Sequence, residues 1–206
     1  MPIIDRTAYT SSVTTTRNNR RIISRFGNGT RDTTRIDAII LHQTSFVSTS
    51  IERFNYVIAH YVVMQDGTTL KVRNHDVKLN SVGARNAINI EFVGNYANER
   101  TLRRYVRRSN RGLRVSSYNY PPVAQVIAGR ALIRTLKNEL ASINSIFAHR
   151  QLTPGRKGNC PGPHLWFNVG QWACEQFGLT YLNSGGTGDI PLSWREKYLD
   201  AWKITM

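Results

Sequence analysis

Two histidines and one cysteine stand where they could hold a metal ion together. His42 ends the apolar run "AIILH", His149 ends "SIFAH", and Cys160 lies in the loop "GRKGNCPGP" that follows. Zinc in proteins is bound by histidine nitrogen, cysteine sulfur or carboxylate oxygen, and a catalytic zinc keeps one position free for water or substrate. Strand ends and an adjoining loop would hold such ligands in fixed places. The pattern therefore makes these residues a candidate His₂Cys metal site with an open fourth position. Taken singly, a histidine near a strand end is more often a satisfied polar residue, and a lone cysteine before proline is more often buried.

Cys160 has two other interpretations. It could be a thiol nucleophile with His149 as its base, or it could form a disulfide with Cys174, the second of only two cysteines. The thiol mechanism would leave His42 without a task. The segment around Cys174, "VGQWACEQFGL", is typical of a helix, in which a lone cysteine is usually a small buried hydrophobe. Dependence of the activity on metal would separate the zinc interpretation from the thiol interpretation.

A carboxylate on a predicted strand completes this chemistry. In "NAINIEFVGNY" (86–96), Ile88, Ile90 and Phe92 alternate with Asn89 and Glu91, so Glu91 projects from the opposite face to the isoleucines. A carboxylate near a zinc site can accept a proton from water and later donate it to a leaving amine. Glu91 is the candidate for that role.

Strands alternating with helices must position these residues. Short apolar runs predict strands over 35–42, 86–96 and 145–149, and "HYVVMQDGTTLKVR" predicts a hairpin over 60–73 that turns at Asp66-Gly67. Apolar residues at helical spacing predict helices over 49–58, 121–140 and 164–178, the first with a capping box from Thr49 to Glu52. The fold class is therefore α/β or α+β, with helices around one sheet.

Three regions follow from this pattern. Residues 1–35 are polar and basic and are expected to form an irregular arm, residues 36–180 form the domain, and residues 181–206 form an extension joined through the glycine-rich "NSGGTG". Trp194, Tyr198 and Trp202 share one side of a predicted short helix in that extension. This aromatic stripe could pack against the domain, or it could insert into envelope lipid.

The charge of the chain points to a polyanionic partner. Twenty-eight Lys and Arg against 13 Asp and Glu give a net charge of +15, which attracts polyanions over long distances. The arginine-rich residues 100–114 contain one tyrosine and no recognisable nucleic-acid-binding motif. We therefore expect anionic cell-envelope polymers rather than a specific nucleic acid as partners, and a monomeric protein; a basic nucleic-acid-binding protein is the weaker alternative.

Four blocks of sequence resemble the zinc-dependent N-acetylmuramoyl-L-alanine amidases, the family that includes peptidoglycan recognition proteins and amidase-type phage lysozymes. In order they are "IILHQT", "IAHYVVMQDGT", "VGARNAINIEFVGNY" and "AHRQLTPGRKGNCPGP", within residues 36–178. The resemblance implies a central mixed β-sheet flanked by helices. It also implies hydrolysis of the amide between N-acetylmuramic acid and L-alanine of bacterial peptidoglycan, with Zn²⁺ as cofactor.

Carried over by position, the resemblance makes His42, His149 and Cys160 the zinc ligands, a set in which the family has either Asp or Cys at the third place. Glu91 falls at a catalytic glutamate, and Lys157 falls where a lysine is thought to stabilise the oxyanion. Charge placed next to a developing oxyanion acts mainly in the transition state.

Substrate contacts are expected from four further residues: Asn86, His60, His164 and Arg156. Asn86 falls in the segment that lines the cleft of the family. For His60 the favoured alternative is a structural role beside the site; for His164 it is a role in capping the next helix; for Arg156 it is surface charge. Ala59 stands where related branches often have a tyrosine, which gives Glu91 more weight as the proton acceptor.

A non-catalytic peptidoglycan-binding module is the main rival to an enzyme. Family members that no longer cleave typically lose the cysteine ligand, and Cys160 is present, so catalysis is favoured. The sequence has no apolar run of about 18 residues, and its N-terminus has no apolar segment of the kind found in signal peptides. We expect a protein made in the cytoplasm that reaches the cell wall through a holin pore or a delivery apparatus.

Overall fold

Six strands form one mixed β-sheet in the computed structural model, which describes residues 2–10, 30–79, 86–96, 120–153, 159–181, 189–191 and 194. The strands are β1 (Ile3–Asp5), β2 (Ala38–Gln43), β3 (Tyr61–Val63), β4 (Thr69–Lys71), β5 (Ala87–Phe92) and β6 (Ser145–Ala148). Their order in the sheet is β1-β4-β3-β5-β2-β6. The hairpin of β3 and β4 is antiparallel, and the other neighbouring pairs are parallel. The mixed central sheet expected from the sequence is confirmed.

The parallel strands β5, β2 and β6 carry the site because their carboxyl ends meet at one edge of the sheet. In the register of β2 and β5, Leu41 lies beside Ile90 and His42 lies beside Glu91. All six residues of β2 are buried, as expected for a central parallel strand covered on both faces. Side chains alternate between faces along a strand, so His42, Asn89 and Glu91 share one face while Leu41 and Ile90 share the other.

Two helices cover the apolar face. Helix α1 (Val123–Glu139) follows Pro122, and three consecutive helical segments, Pro163–Leu165, Trp166–Gln171 and Trp172–Phe177, form a second continuous helix that we call α3; its middle segment is a π-helix. Buried residues from both helices pack with Ile39, Leu41, Ile88 and Ile90 in the largest apolar cluster. A Cβ at Gly129 would lie 2.7 Å from the Phe92 ring, so glycine allows α1 to approach β5 closely.

The opposite face carries shorter elements and the polar residues. A 3₁₀-helix (Ile51–Tyr56) covers the β3–β4 hairpin through a cluster that contains Phe54, Val62 and Leu70. A one-turn helix, α2 (His149–Leu152), starts directly after β6.

The helix predicted over 49–58 is wrong in type and extent, because the structure has only the 3₁₀-helix Ile51–Tyr56 in this part of the chain. Only Phe54 and Asn55 of this segment are buried, and two buried positions fix a short turn rather than an amphipathic helix.

The two ends of the chain attach to opposite parts of the domain. The arm expected over residues 1–35 is not wholly irregular, since β1 pairs with β4 and Thr33–Arg35 form a 3₁₀-helix. At the other end, Ile190 and Trp194 are each 1% exposed and pack with Ala148 and Trp166. This part of the extension therefore packs against the domain. The arginine-rich residues 100–114 and most of the predicted C-terminal helix lie outside the described residues.

The hairpin turn predicted at Asp66-Gly67 is confirmed. Gly67 has φ of 90°, and the Thr68 amide donates to the Asp66 carboxylate over 2.8 Å. Within the described residues, none of the helices is both long and apolar enough to span a bilayer.

Candidate metal centre

The side chains of His42, His149 and Cys160 converge at the carboxyl end of the sheet. Their ligand atoms all lie within 4.8 Å of one another. His42 is the fifth residue of β2, His149 is the first residue after β6, and these two strands are neighbours in the sheet. Cys160 comes from the loop between α2 and α3. The structure thus brings together the three residues that the sequence pattern selected.

The donor set and its dimensions fit zinc. The Nδ1 atoms of His42 and His149 lie 2.8 Å apart, and the two rings meet edge to face with centroids 4.4 Å apart. Zinc–nitrogen bonds of 2.0–2.1 Å in tetrahedral geometry imply about 3.3 Å between two histidine nitrogens. An adjustment of about half an ångström would admit an ion between these atoms. His42 and Cys160 are 4% and 7% exposed, so the donors are shielded from bulk water.

Asn89 orients the first of the two rings. The side-chain oxygen of Asn89 lies 2.8 Å from His42 Nε2, and the Asn89 amide nitrogen faces the Ala87 carbonyl at 3.4 Å. The amide oxygen therefore faces the ring and accepts the proton of Nε2. This arrangement leaves the lone pair of His42 on Nδ1, the atom that points at His149. Hydrogen bonds of this kind fix the tautomer and orientation of metal-binding histidines.

The Cys160 sulfur is held from the sheet side. The Gln43 backbone N–H donates to Cys160 Sγ over 3.3 Å, and the Arg150 N–H donates to the Cys160 carbonyl over 3.0 Å. These bonds tie the loop to the residues that directly follow His42 and His149 in the chain. The second cysteine lies elsewhere. Cys174 is a residue of α3 and packs against the largest apolar cluster, where burial raises the pKa of its thiol to about 12. Both cysteines are free thiols.

Glu91 lies beside His42 on the neighbouring strand. The two residues are register partners in the β2–β5 pair, and adjacent strands lie about 4.8 Å apart. Glu91 is partly exposed, whereas the five other residues of β5 are buried. The Oε2 atom of Glu91 is itself buried. A carboxylate beside the metal-binding cluster is placed to exchange protons with a bound molecule.

The structure does not bring all predicted site residues to this cluster. Asn86 is exposed directly before β5, where its carbonyl accepts the Asp37 N–H over 3.0 Å. It lies five residues before Glu91, which corresponds to about 16 Å along an extended strand. His164 is 3% exposed in the first segment of α3, and its ring meets Tyr120 edge on at 4.6 Å. Arg156 and Lys157 lie outside the described residues.

The side chain of His60 is completely buried, which suits the structural role beside the site that is favoured from the sequence. Its Nδ1 accepts the backbone N–H of Asn89 over 3.0 Å, and its Nε2 lies 3.0 Å from the Val77 carbonyl. Burial, followed by the charge of Arg31, lowers the pKa of His60 to about 3. His60 is therefore neutral in the folded protein and supports the strand that carries Asn89 and Glu91.

Two residues that sequence reasoning missed, Asn89 and Gln43, contact the ligands directly. The sequence pointed to Asn89, since a polar residue between two isoleucines of a buried strand indicates a specific contact. No local pattern pointed to Gln43, because its role depends on a loop that is distant in sequence.

Comparison with known proteins places the chain in a family. The family described as N-acetylmuramoyl-L-alanine amidase matches residues 32–163. The chain belongs to this amidase family. A search of curated proteins finds no match.

Solved structures share the amidase fold at low sequence identity. The N-acetylmuramoyl-L-alanine amidase LysC from Clostridium intestinale URNW is 15% identical with a TM-score of 0.51, covering 87% of this chain and 99% of its own. The Ph2119 endolysin from Thermus scotoductus MAT2119 bacteriophage Ph2119 is 16% identical with a TM-score of 0.50, covering 82% and 99%. Drosophila peptidoglycan recognition protein SD is 14% identical with a TM-score of 0.52, covering 87% and 97%. These likenesses establish the fold of the amidase domain.

Proposed function

We propose that the protein is a zinc-dependent amidase that hydrolyses the bond between N-acetylmuramic acid and L-alanine in bacterial peptidoglycan. The observation that carries the proposal is the convergence of His42, His149 and Cys160, with Glu91 beside His42. Membership of the amidase family supports the reaction class. The enzyme and recognition-protein names of the similar structures support peptidoglycan as the molecule that is bound.

Each residue has a separate task in this proposal. His42, His149 and Cys160 would hold the metal through two nitrogens and one sulfur. Zinc bound there supplies Lewis acidity that polarises a carbonyl and lowers the pKa of water towards about 7. Glu91 accepts a proton from the attacking water and donates it to the departing alanine nitrogen. Lys157 is proposed, from the family resemblance, to stabilise the negative charge that develops on the carbonyl oxygen.

The positive charge of the chain is proposed to concentrate the enzyme on its substrate. A net charge of +15 favours the anionic polymers that accompany peptidoglycan, and this attraction weakens as salt is added. We propose that the protein acts as a monomer at the cell wall, which it reaches through a holin pore or a delivery apparatus.

Isolated peptidoglycan tests the reaction directly. New alanine amino groups and new reducing sugar ends are measured separately, before chelation, after chelation and after zinc is restored. The proposal predicts alanine amino groups alone, their loss with the chelator and their return with zinc. The Cys160→Ala variant should be inactive, and Cys174→Ala is the matched control because it removes the other thiol, remote from the cluster. Binding to peptidoglycan without release of either group would identify a recognition protein instead.

A further inference from the structure

Gln43 joins three parts of the chain next to the candidate metal centre. Its side-chain nitrogen donates to the Asn159 carbonyl over 3.0 Å, and its side-chain oxygen accepts the Tyr96 backbone N–H over 2.6 Å. The side chain of Asn159 donates to the Tyr96 carbonyl over 2.8 Å. Gln43, Asn159 and Tyr96 thus form a triangle of hydrogen bonds. Gln43 is 7% exposed and Tyr96 is fully buried, so the bond between them is buried, where its loss is costly.

The triangle matters because the three metal-binding residues are not held equally. His42 lies in β2, and His149 follows β6 directly. Cys160 lies in the loop between α2 and α3, so no strand hydrogen bonds fix its position. Gln43 makes two contacts that tie the described part of this loop to β2: its backbone N–H donates to the sulfur, and its side-chain nitrogen donates to the carbonyl of the preceding residue. The Arg150 N–H bond to the Cys160 carbonyl and the Asn159 bond to the Tyr96 carbonyl hold the same loop from other elements.

We propose that Gln43 is a positioning residue whose side-chain amide holds the Cys160 sulfur at metal-binding distance from the two histidines. Glutamine suits this position because one amide supplies both the donor for Asn159 and the acceptor for Tyr96. Leucine would remove both bonds, and glutamate would keep the acceptor but place an anion against the Asn159 carbonyl. The inference rests on the proposed metal centre and goes beyond it, since Gln43 is not one of the three candidate ligands.

A second buried glutamine that contacts Tyr96 provides a control. Gln125 is also completely buried, and its amide contacts the Tyr96 hydroxyl and the carbonyls of Val63 and Val93. Within the described residues, the Gln125 amide makes no hydrogen bond with the loop that carries Cys160. A Gln125→Leu substitution therefore removes a buried amide of the same type from the same tyrosine while leaving the bonds to Asn159 in place.

The experiment measures metal binding without turnover. The metal-free parent, Gln43→Leu, Gln43→Glu, Gln125→Leu and Cys160→Ala proteins are titrated with zinc against a chromophoric chelator. They are then titrated with cobalt(II), and the near-ultraviolet sulfur-to-cobalt charge-transfer band is recorded. Residues that orient metal ligands typically contribute 10- to 100-fold to metal affinity. We expect both Gln43 variants to lose zinc affinity by about that factor and to show a weaker or shifted cobalt–sulfur band.

The controls separate the possible failures. Gln125→Leu should be less stable yet keep the parent affinity and band; an equal loss in this variant would show that general destabilisation explains the effect and would overturn the inference. Parent-like affinity and band in folded Gln43→Glu would also overturn it. A parent protein that binds neither metal would instead refute the metal centre itself. Circular dichroism confirms that each variant is folded, and Gln43→Glu serves if Gln43→Leu does not fold.

Discussion

His60 should make the folded protein sensitive to acid. Its pKa falls from 6.5 to about 3 in the folded state, first because of burial and next because of the charge of Arg31; His75 and Arg73 add to the effect, and the bond to Val77 opposes it. The unfolded chain therefore binds a proton below pH 6.5 that the folded chain does not bind. The free energy of unfolding must fall as the pH is lowered from 6.5 towards 3.

The size of this effect follows from the pKa difference. Each pH unit below 6.5 costs about 1.4 kcal/mol for one proton, so His60 alone removes about 3 kcal/mol of stability at pH 4.5. The complete shift corresponds to about 5 kcal/mol. Domains of this size are stabilised by about 5–15 kcal/mol, so a single buried histidine changes stability by a large fraction of the total.

Urea unfolding at pH 7 and pH 4.5 measures the effect, with a chelator present so that metal release does not contribute. The His60→Gln variant is the control because its amide keeps a donor for Val77 but does not titrate. The variant is expected to be less stable at pH 7 and to lose about 3 kcal/mol less than the parent between the two pH values. Equal losses in the two proteins would refute the assignment of a buried neutral histidine.

Three further changes have defined outcomes. Glu91→Gln should lower amide hydrolysis by about 10²–10⁴-fold and leave zinc affinity unchanged, since it removes proton transfer alone; loss of zinc would contradict this role. Asn89→Leu should weaken zinc binding by about 10- to 100-fold, because the His42 tautomer is no longer fixed, whereas Asn89→Asp, which retains an acceptor, should weaken it less. Trp194→Ala should lower the free energy of unfolding by about 3–5 kcal/mol through loss of a buried indole, with the stacked Arg150 guanidinium 4.7 Å away left exposed; an unchanged urea midpoint would argue against its packing role.

The central sheet and the three candidate ligands could be predicted because their signals are local. The four apolar residues "AIIL" directly precede His42, the Asp66-Gly67 pair is a strong turn signal, and α1 has a clear helical period. The strand β1 escaped prediction because its three residues are exposed at an edge, so burial does not impose an alternating pattern on them. The segment Ile51–Tyr56 shows apolar spacing that suits a helix, but tertiary packing selects a short 3₁₀-helix.

The contacts of the supporting residues could not be predicted because they form between residues that are far apart in sequence. Gln43 meets Asn159, and Asn89 meets His42, only after the sheet has formed. His60 illustrates the same limit: its place in a motif left substrate contact and a structural role both open, and only the tertiary structure shows its complete burial and its bond to the Asn89 backbone. Residue type identifies candidate donors, but only the tertiary structure shows which of them converge.

Titration of metal-free protein with zinc tests the central claim most directly. Release of alanine amino groups from peptidoglycan is followed as zinc is added in increments to a known amount of protein. The account predicts that activity rises in proportion to zinc, reaches its maximum at about one ion per chain and stays absent in Cys160→Ala, as expected for one ion held by three protein ligands. Full activity in the metal-free protein, or in Cys160→Ala, would contradict it.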